Sequence, residues 1–180
     1  GGGLIESVRL RVGAADYKHT EFEGEEVGTV FNSSGVEGRL ELLQRDRNAW
    51  RGASGAQYFH RDFDAVGAEA FLPPNTTSQL GLFTLQEFHL GDFGLEASGR
   101  IERSKTKAES VGEREFTALS GALGASYAIA RHVEAGVNIS RTERAPSAEE
   151  LFSNGPHIAT QAFEIGNPDL RKEKSFGAEA

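Results

Sequence analysis

The joining of alternating segments constrains this chain more than any other feature of its sequence. Over residues 93–102 apolar and polar side chains alternate with a period of two. Phe93, Leu95, Ala97, Gly99 and Ile101 fall to one side, and Gly94, Glu96, Ser98, Arg100 and Glu102 to the other. The same alternation runs through 8–12, 36–42 and 133–140. A period of two is that of a β-strand with one apolar and one wet face. The pattern softens over 116–129, and both phases mix polar and apolar residues over 49–61 and 78–90. Those last two segments count as strands because of what flanks them. A return to strand at 176–180 brings the number to about eight.

The connections alternate in length. Short ones fall around Arg45-Asp46-Arg47-Asn48, at Gly91-Asp92 and at Ala130-Arg131-His132, where the chain reverses in tight hairpins. Long polar ones are expected over 19–29, 62–77, 104–115 and 143–169. In an up-and-down meander this puts every long loop at one end of the sheet and every short turn at the other. Short turns on one side and long loops on the other are the habit of outer-membrane barrels. Alternation alone also fits a soluble antiparallel sheet. The reading is therefore an all-β antiparallel meander of about eight strands forming part of a larger transmembrane β-barrel, with a soluble antiparallel β-sheet binding module as the alternative. Trp50, Tyr58, Phe88, Phe93 and Tyr127 lie near segment ends, where aromatic girdles sit in such barrels.

Composition narrows the function classes. A net charge of −8 with no Lys/Arg stripe argues against a nucleic-acid partner, because phosphate binding needs a basic surface. Cysteine is absent, which removes disulfides, thiolate metal sites and a Cys nucleophile. No run approaches the ~18 consecutive apolar residues of a transmembrane helix, and Gly1-Gly2-Gly3-Leu4 lacks the basic start and apolar core of a signal peptide. Barrel strands leave no such hydropathy peak. No mechanistic motif points to an enzyme. Gly52-Ala53-Ser54-Gly55-Ala56 only resembles a nucleophile elbow, and neither an H-E-x-x-H pair nor a phosphate-cradling glycine loop is present.

Two groups of residues have metal-binding chemistry. Asp16, His19, Glu21, Glu23, Glu25 and Glu26 form an acidic cluster with one histidine, and His60 with Asp62 forms a second pair. Imidazole and carboxylate are both zinc ligands, and both groups fall at the expected long-loop end. The same residues also describe a solvated acidic loop. His89 and His132 fall at the opposite end, beside short turns, and read as surface residues. In the last long connection, Ser147 and Glu150 have capping-box spacing and predict a short helical turn through Leu151-Phe152. Asn154-Gly155-Pro156 should break it, and Asn167-Pro168-Asp169 signals a second turn.

The same connection carries a resemblance. Arg141-Thr142-Glu143-Arg144-Ala145-Pro146-Ser147, Glu150-Leu151-Phe152, Gly155-Pro156-His157-Ile158-Ala159-Thr160, Phe163-Glu164-Ile165-Gly166-Asn167-Pro168-Asp169-Leu170 and Glu173-Lys174-Ser175 resemble, in order and spacing, the signature region of TonB-dependent outer-membrane receptor barrels. Residues 16–42 are similar to the branch containing zinc-uptake receptors. The resemblance implies the class of roughly 22-stranded barrels with a plugged lumen, embedded in outer-membrane lipid of a Gram-negative bacterium. It implies a ligand taken at the extracellular face and plug movement driven by the TonB system. It implies no cofactor; the ligand would be a transported metal ion or small metal chelate, zinc before ferric siderophore or haem. His157 is then the first candidate for ligand contact, with His19 and His60 next and Asp16, Asp62 and Glu21 beside them. Against the family pattern the chain is expected to be an interior piece of a barrel, without plug, TonB-contacting segment or closing strand. Lys172 stands where the family often has Pro.

Overall fold

The computed structural model describes residues 3–68, 70–109, 111–157 and 162–180, the side chains of Glu23 and His157 excepted. Seven long strands follow one another: β1 (Ile5–Glu23), β2 (Glu26–Gln44), β3 (Trp50–Gly67), β4 (Asn75–Leu90), β5 (Phe93–Ala108), β6 (Gly112–Ala130) and β7 (Val133–Arg144). A helical turn α1 (Ala148–Phe152), a small hairpin of β8 (Asn154–His157) and β9 (Ala162–Ile165), and strand β10 (Glu173–Glu179) complete the chain. Each of β1 to β7 pairs antiparallel with the next, and β10 pairs with β7, giving one eight-stranded meander. The expected fold class is the one observed.

The register follows from one apolar row. Leu10, Leu40, Ala56, Leu82, Ile101 and Leu119 are successive cross-strand partners over six strands. A slip of one residue anywhere in that row would send a whole strand's apolar set to the other face. This face stays uncovered: Leu10 is 67% exposed and Leu123 57%. A soluble sheet would bury such a face. At one end the band closes with Trp50, Phe88, Phe93 and Tyr127, whose backbones are neighbours through the β3–β4, β4–β5 and β5–β6 pairings, and the Trp50 and Phe88 rings stack at 6.0 Å. At the other end stands Tyr58, opposite Leu80. From Trp50 to Tyr58 the strand advances roughly 26 Å along its own axis, or about 20 Å along the membrane normal at the ~40° tilt of barrel strands, a little under the ~25 Å apolar band of an outer-membrane barrel.

The long connections differ from expectation. Only residues 24–25, 68–74 and 109–111 separate the strands at that end, and 145–172 alone is a long excursion. The polar stretches beyond Tyr58 are strand, with the row Val36, His60, Ser78, Lys105 and Glu115 continuing the ladder. The physical reason is that beyond the apolar band both faces meet water, so nothing enforces alternation, while strand pairing still satisfies the backbone groups that face a neighbouring strand. Polarity there marks strand above a membrane rather than loop. Reversal within two residues uses glycine where the backbone turns left-handed, as at Gly24 (φ 66°) and Gly91 (φ 64°).

The opposite face is polar and carries the buried core. Leu72, Ala108, Ala148, Leu151 and Phe152 cluster there, with Phe63, Phe71, Phe116 and Leu170 packed against them. No helix among the described residues is long and apolar enough to cross a membrane. The two faces predict different responses to charge. Leu82→Arg in the apolar band should destabilise the folded barrel in lipid vesicles by ~2–4 kcal/mol, and Ser98→Arg on the polar face by much less, read from urea midpoints. Equal costs would contradict the assignment of the faces.

Candidate functional site

The segment 145–172 folds back over the polar face. The reason begins at a break in the ladder. Backbone pairing between β6 and β7 runs only as far as Gly121 opposite Arg141. Beyond that point the buried side chain of Glu143 takes the place of strand. Its Oε2 accepts the Leu119 N–H at 2.9 Å and the Lys172 ammonium at 2.6 Å, and Lys172 also donates to the Thr117 carbonyl at 2.5 Å. Ser120 Oγ accepts the Glu143 N–H at 3.1 Å, and Arg141 pairs with the other carboxylate oxygen. A carboxylate and an ammonium thus satisfy an N–H and a C=O that the departing strand leaves behind.

β7 instead pairs with β10, and the segment between them is clamped at several places. Arg144 forms two parallel hydrogen bonds to Glu150 at 2.8 Å each and a third to Glu173 at 3.0 Å. This is the bidentate geometry that makes guanidinium–carboxylate pairs directional. Arg61 reaches Glu149 at 3.2 Å, and Arg114 donates to the Leu170 carbonyl at 3.1 Å. The expected capping box is present: Ser147 Oγ accepts the Glu150 N–H at 3.2 Å, and Glu150 accepts the Ser147 N–H at 2.7 Å. The helix ends at Phe152 as expected. Asn154-Gly155-Pro156 then forms strand rather than loop, because β9 and the Phe71 carbonyl supply its partners. Asn167 Oδ1 accepts the Asp169 N–H at 2.9 Å, which fixes the second expected turn. The described part of the excursion thereby becomes an anchored shelf with an apolar underside.

The sequence-derived ligand candidates separate. His19 and Glu21 lie in β1 on the polar face, with Nε2 and Oε1 3.3 Å apart. His60 and Asp62 lie in β3 and Asp16 in β1, all on the other face, above the apolar band. His60 bonds Ser78 at 2.9 Å and Asp62 at 3.3 Å, and Asp62 accepts from Thr76 at 2.6 Å. Asp16 and Asp62 line one open cavity of about 420 Å³ with Asp64, Thr76 and Lys107. All these residues were expected in loops and stand in strands. Glu25 sits in the β1–β2 turn and Glu26 opens β2, whereas the side chain of Glu23 lies outside the described residues. His157 ends β8, opposite Ala162, and its side chain also lies outside them. Among the described residues no three His, Asp or Glu side chains converge as a metal site. His89 lines a hollow of about 580 Å³ at the far end of the polar face with Arg51, Glu87 and Glu96.

The β6–β7 break and its Glu143–Lys172 substitute carry no sequence signal. The two residues stand far apart in sequence, one in β7 and the other just before β10, and only the loss of pairing brings them together.

The family model for the TonB dependent receptor-like β-barrel matches residues 6–180. The chain belongs to that family. Membership puts it in the Gram-negative outer membrane, in transport rather than catalysis, with the TonB system as partner.

The clamp on α1 has a pH signature. The Arg144 guanidinium and the Ser147 N–H hold the Glu150 carboxyl at about 2, below its ordinary 4.5. A depressed carboxylate stabilises above its ordinary value and loses that contribution as the pH falls through the folded one. Hydrogen exchange over 147–153 should therefore be flat from pH 7 to 4.5, after correction for intrinsic rates, and rise between 4.5 and about 2. Glu150→Gln should weaken the acid dependence; an unchanged profile in that variant would refute the clamp.

Proposed function

We propose, on the premise that the chain is TonB-dependent receptor barrel wall, that the receptor imports a metal ion or small metal chelate, with zinc as the favoured cargo. The apolar face then meets lipid and the polar face lines the lumen. The observation that carries the cargo reading is the His19–Glu21 pair, 3.3 Å apart on the lumenal face of β1. Neutral imidazole beside carboxylate is a donor pair for Zn²⁺. His157 belongs to a shelf that is clamped to the same face, and the notable sequence feature of that shelf is this lone histidine between two turns.

The division between faces sharpens the donor set. His60, Asp62 and Asp16 point to the lipid side of the wall, so they serve the outer surface, and a lumenal cargo is left to His19, Glu21 and His157. Cargo binding during transport calls for few protein ligands, because a complete coordination shell would hold the ion too tightly to release. Ferric siderophore and haem stand behind zinc in this reading, as the lumenal donors are imidazole and carboxylate.

In the full-length receptor, His19→Ala with His157→Ala should lower zinc uptake by on the order of tenfold, and His60→Ala should leave it unchanged. Radiolabelled zinc in energised cells makes the measurement. Full uptake in the double variant would overturn the zinc assignment and leave the transport class standing.

A further inference from the structure

The lumenal face carries its aromatic rings in two ways. Phe83 lies beneath the Arg39 guanidinium at 4.3 Å, Phe116 beneath Arg114 at 5.2 Å and Phe63 beneath Arg61 at 5.7 Å. Each of these rings is supplied with a cation by the wall itself. A second group has none. Tyr17 and His19 are neighbours on β1, with ring centroids 6.3 Å apart and planes within 11° of parallel. His19 lies 6.1 Å from Phe31 on β2, and Phe31 lies 6.4 Å from Phe63. Among the described residues no arginine or lysine covers Tyr17 or Phe31.

The charge around this row is negative. Glu21 stands against His19, Glu25 and Glu26 follow at the turn, and Lys18 is the only lysine or arginine from Asp16 to Val30. Strand alternation sends Lys18 to the opposite face. Tyr17 is 58% exposed on the side of the sheet that lipid does not reach. Uncovered rings with their negative π-faces, bordered by carboxylates and short of a cation, are complementary to a weakly hydrated positive group.

We infer that Tyr17, His19 and Phe31, with Glu21 at their edge, form a binding platform in the receptor mouth for an organic cation of the quaternary-ammonium class. The inference rests on the polar face being lumenal, as proposed above, and adds to the metal cargo a second ligand chemistry at the mouth. The rings take the place that hydration water gives up, and Glu21 balances the charge without a fixed ion pair. Guanidinium groups of the wall already occupy the equivalent position over Phe63, Phe83 and Phe116, so those three rings are closed to a further cation.

The test uses the full-length receptor in detergent micelles and a pair of probes that differ only in charge: choline and its neutral carbon isostere, 3,3-dimethylbutanol. Saturation-transfer NMR should show choline bound roughly 2- to 30-fold more tightly. Tyr17→Leu with Phe31→Leu keeps apolar bulk and removes the π-faces, and should lower choline binding severalfold; Tyr17→Phe should retain it. Equal binding of the two probes, or choline binding unchanged in the double leucine variant, overturns the inference. Failure of zinc uptake with choline discrimination intact would count against the cargo proposal alone, whereas lost discrimination with intact uptake would count against the platform alone.

Discussion

A continuous backbone ladder is the condition on which this structure rests. In hydrocarbon every unpaired N–H or C=O costs several kcal/mol, so the wall tolerates no gap within the apolar band. The row from Leu10 to Leu119 sets the register in which that condition is met, because the alternating apolar set of each strand must arrive on the same side as its neighbour's. Aromatic residues at Trp50, Phe88, Phe93 and Tyr127 mark where the requirement starts to relax at one end, and Tyr58 marks the other.

At the upper edge of the band, level with Tyr58, the same backbone groups can be met in other ways, and among the described residues β6 uses that freedom. Where β7 leaves β6, Glu143 and Lys172 bond the Leu119 N–H and Thr117 C=O that lose their partners. Because Lys172 belongs to the far end of the 145–172 segment, the repair of the ladder also fixes that segment over the lumen. Wall continuity and shelf position are one interaction. The bidentate Arg144–Glu150 pair and the Arg61–Glu149 pair then orient α1 so that Leu151 and Phe152 lie on Leu72 and Ala108. Among the described residues the buried apolar cluster lies under the shelf, and the rest of the sheet is held by its ladder.

Legibility in the sequence followed physical constraint. Strands 93–102 and 133–140 were readable because lipid and water on opposite faces force alternation. The upper halves of β1 to β6 read as loops because water on both faces removes that force, and hydropathy cannot distinguish a solvated strand from a solvated loop. The α1 capping box was readable since it is local, between Ser147 and Glu150. The Glu143–Lys172 bond joins residues with no periodic relation and depends on where a partner strand departs, so no local pattern announces it. The candidate site was legible in residue type but not in direction. His19 and His60 stand in equivalent acidic contexts, yet odd and even strand positions put them on opposite faces.

That parity has a consequence for how such a wall can evolve ligand contact. Moving a side chain along a strand by one residue exchanges lumen for exterior, so new lumenal contacts arise at every second position or from segments that fold inward. In the reading proposed above the chain uses both routes. β1 and β2 contribute Tyr17, His19, Glu21 and Phe31 by alternation, and residues 145–172 contribute a shelf whose attachment does not depend on parity. The first route is rigid, because each position is tied to the register of the entire sheet. The second is adjustable, because the β8–β9 hairpin forms its own small sheet, joined to its surroundings through α1 and through the Asn154 N–H to Phe71 C=O bond, and stands outside the ladder of the wall. Variation in ligand chemistry among walls of this kind should therefore concentrate in the shelf, while the strand-borne platform changes only where a whole alternating set can change with it.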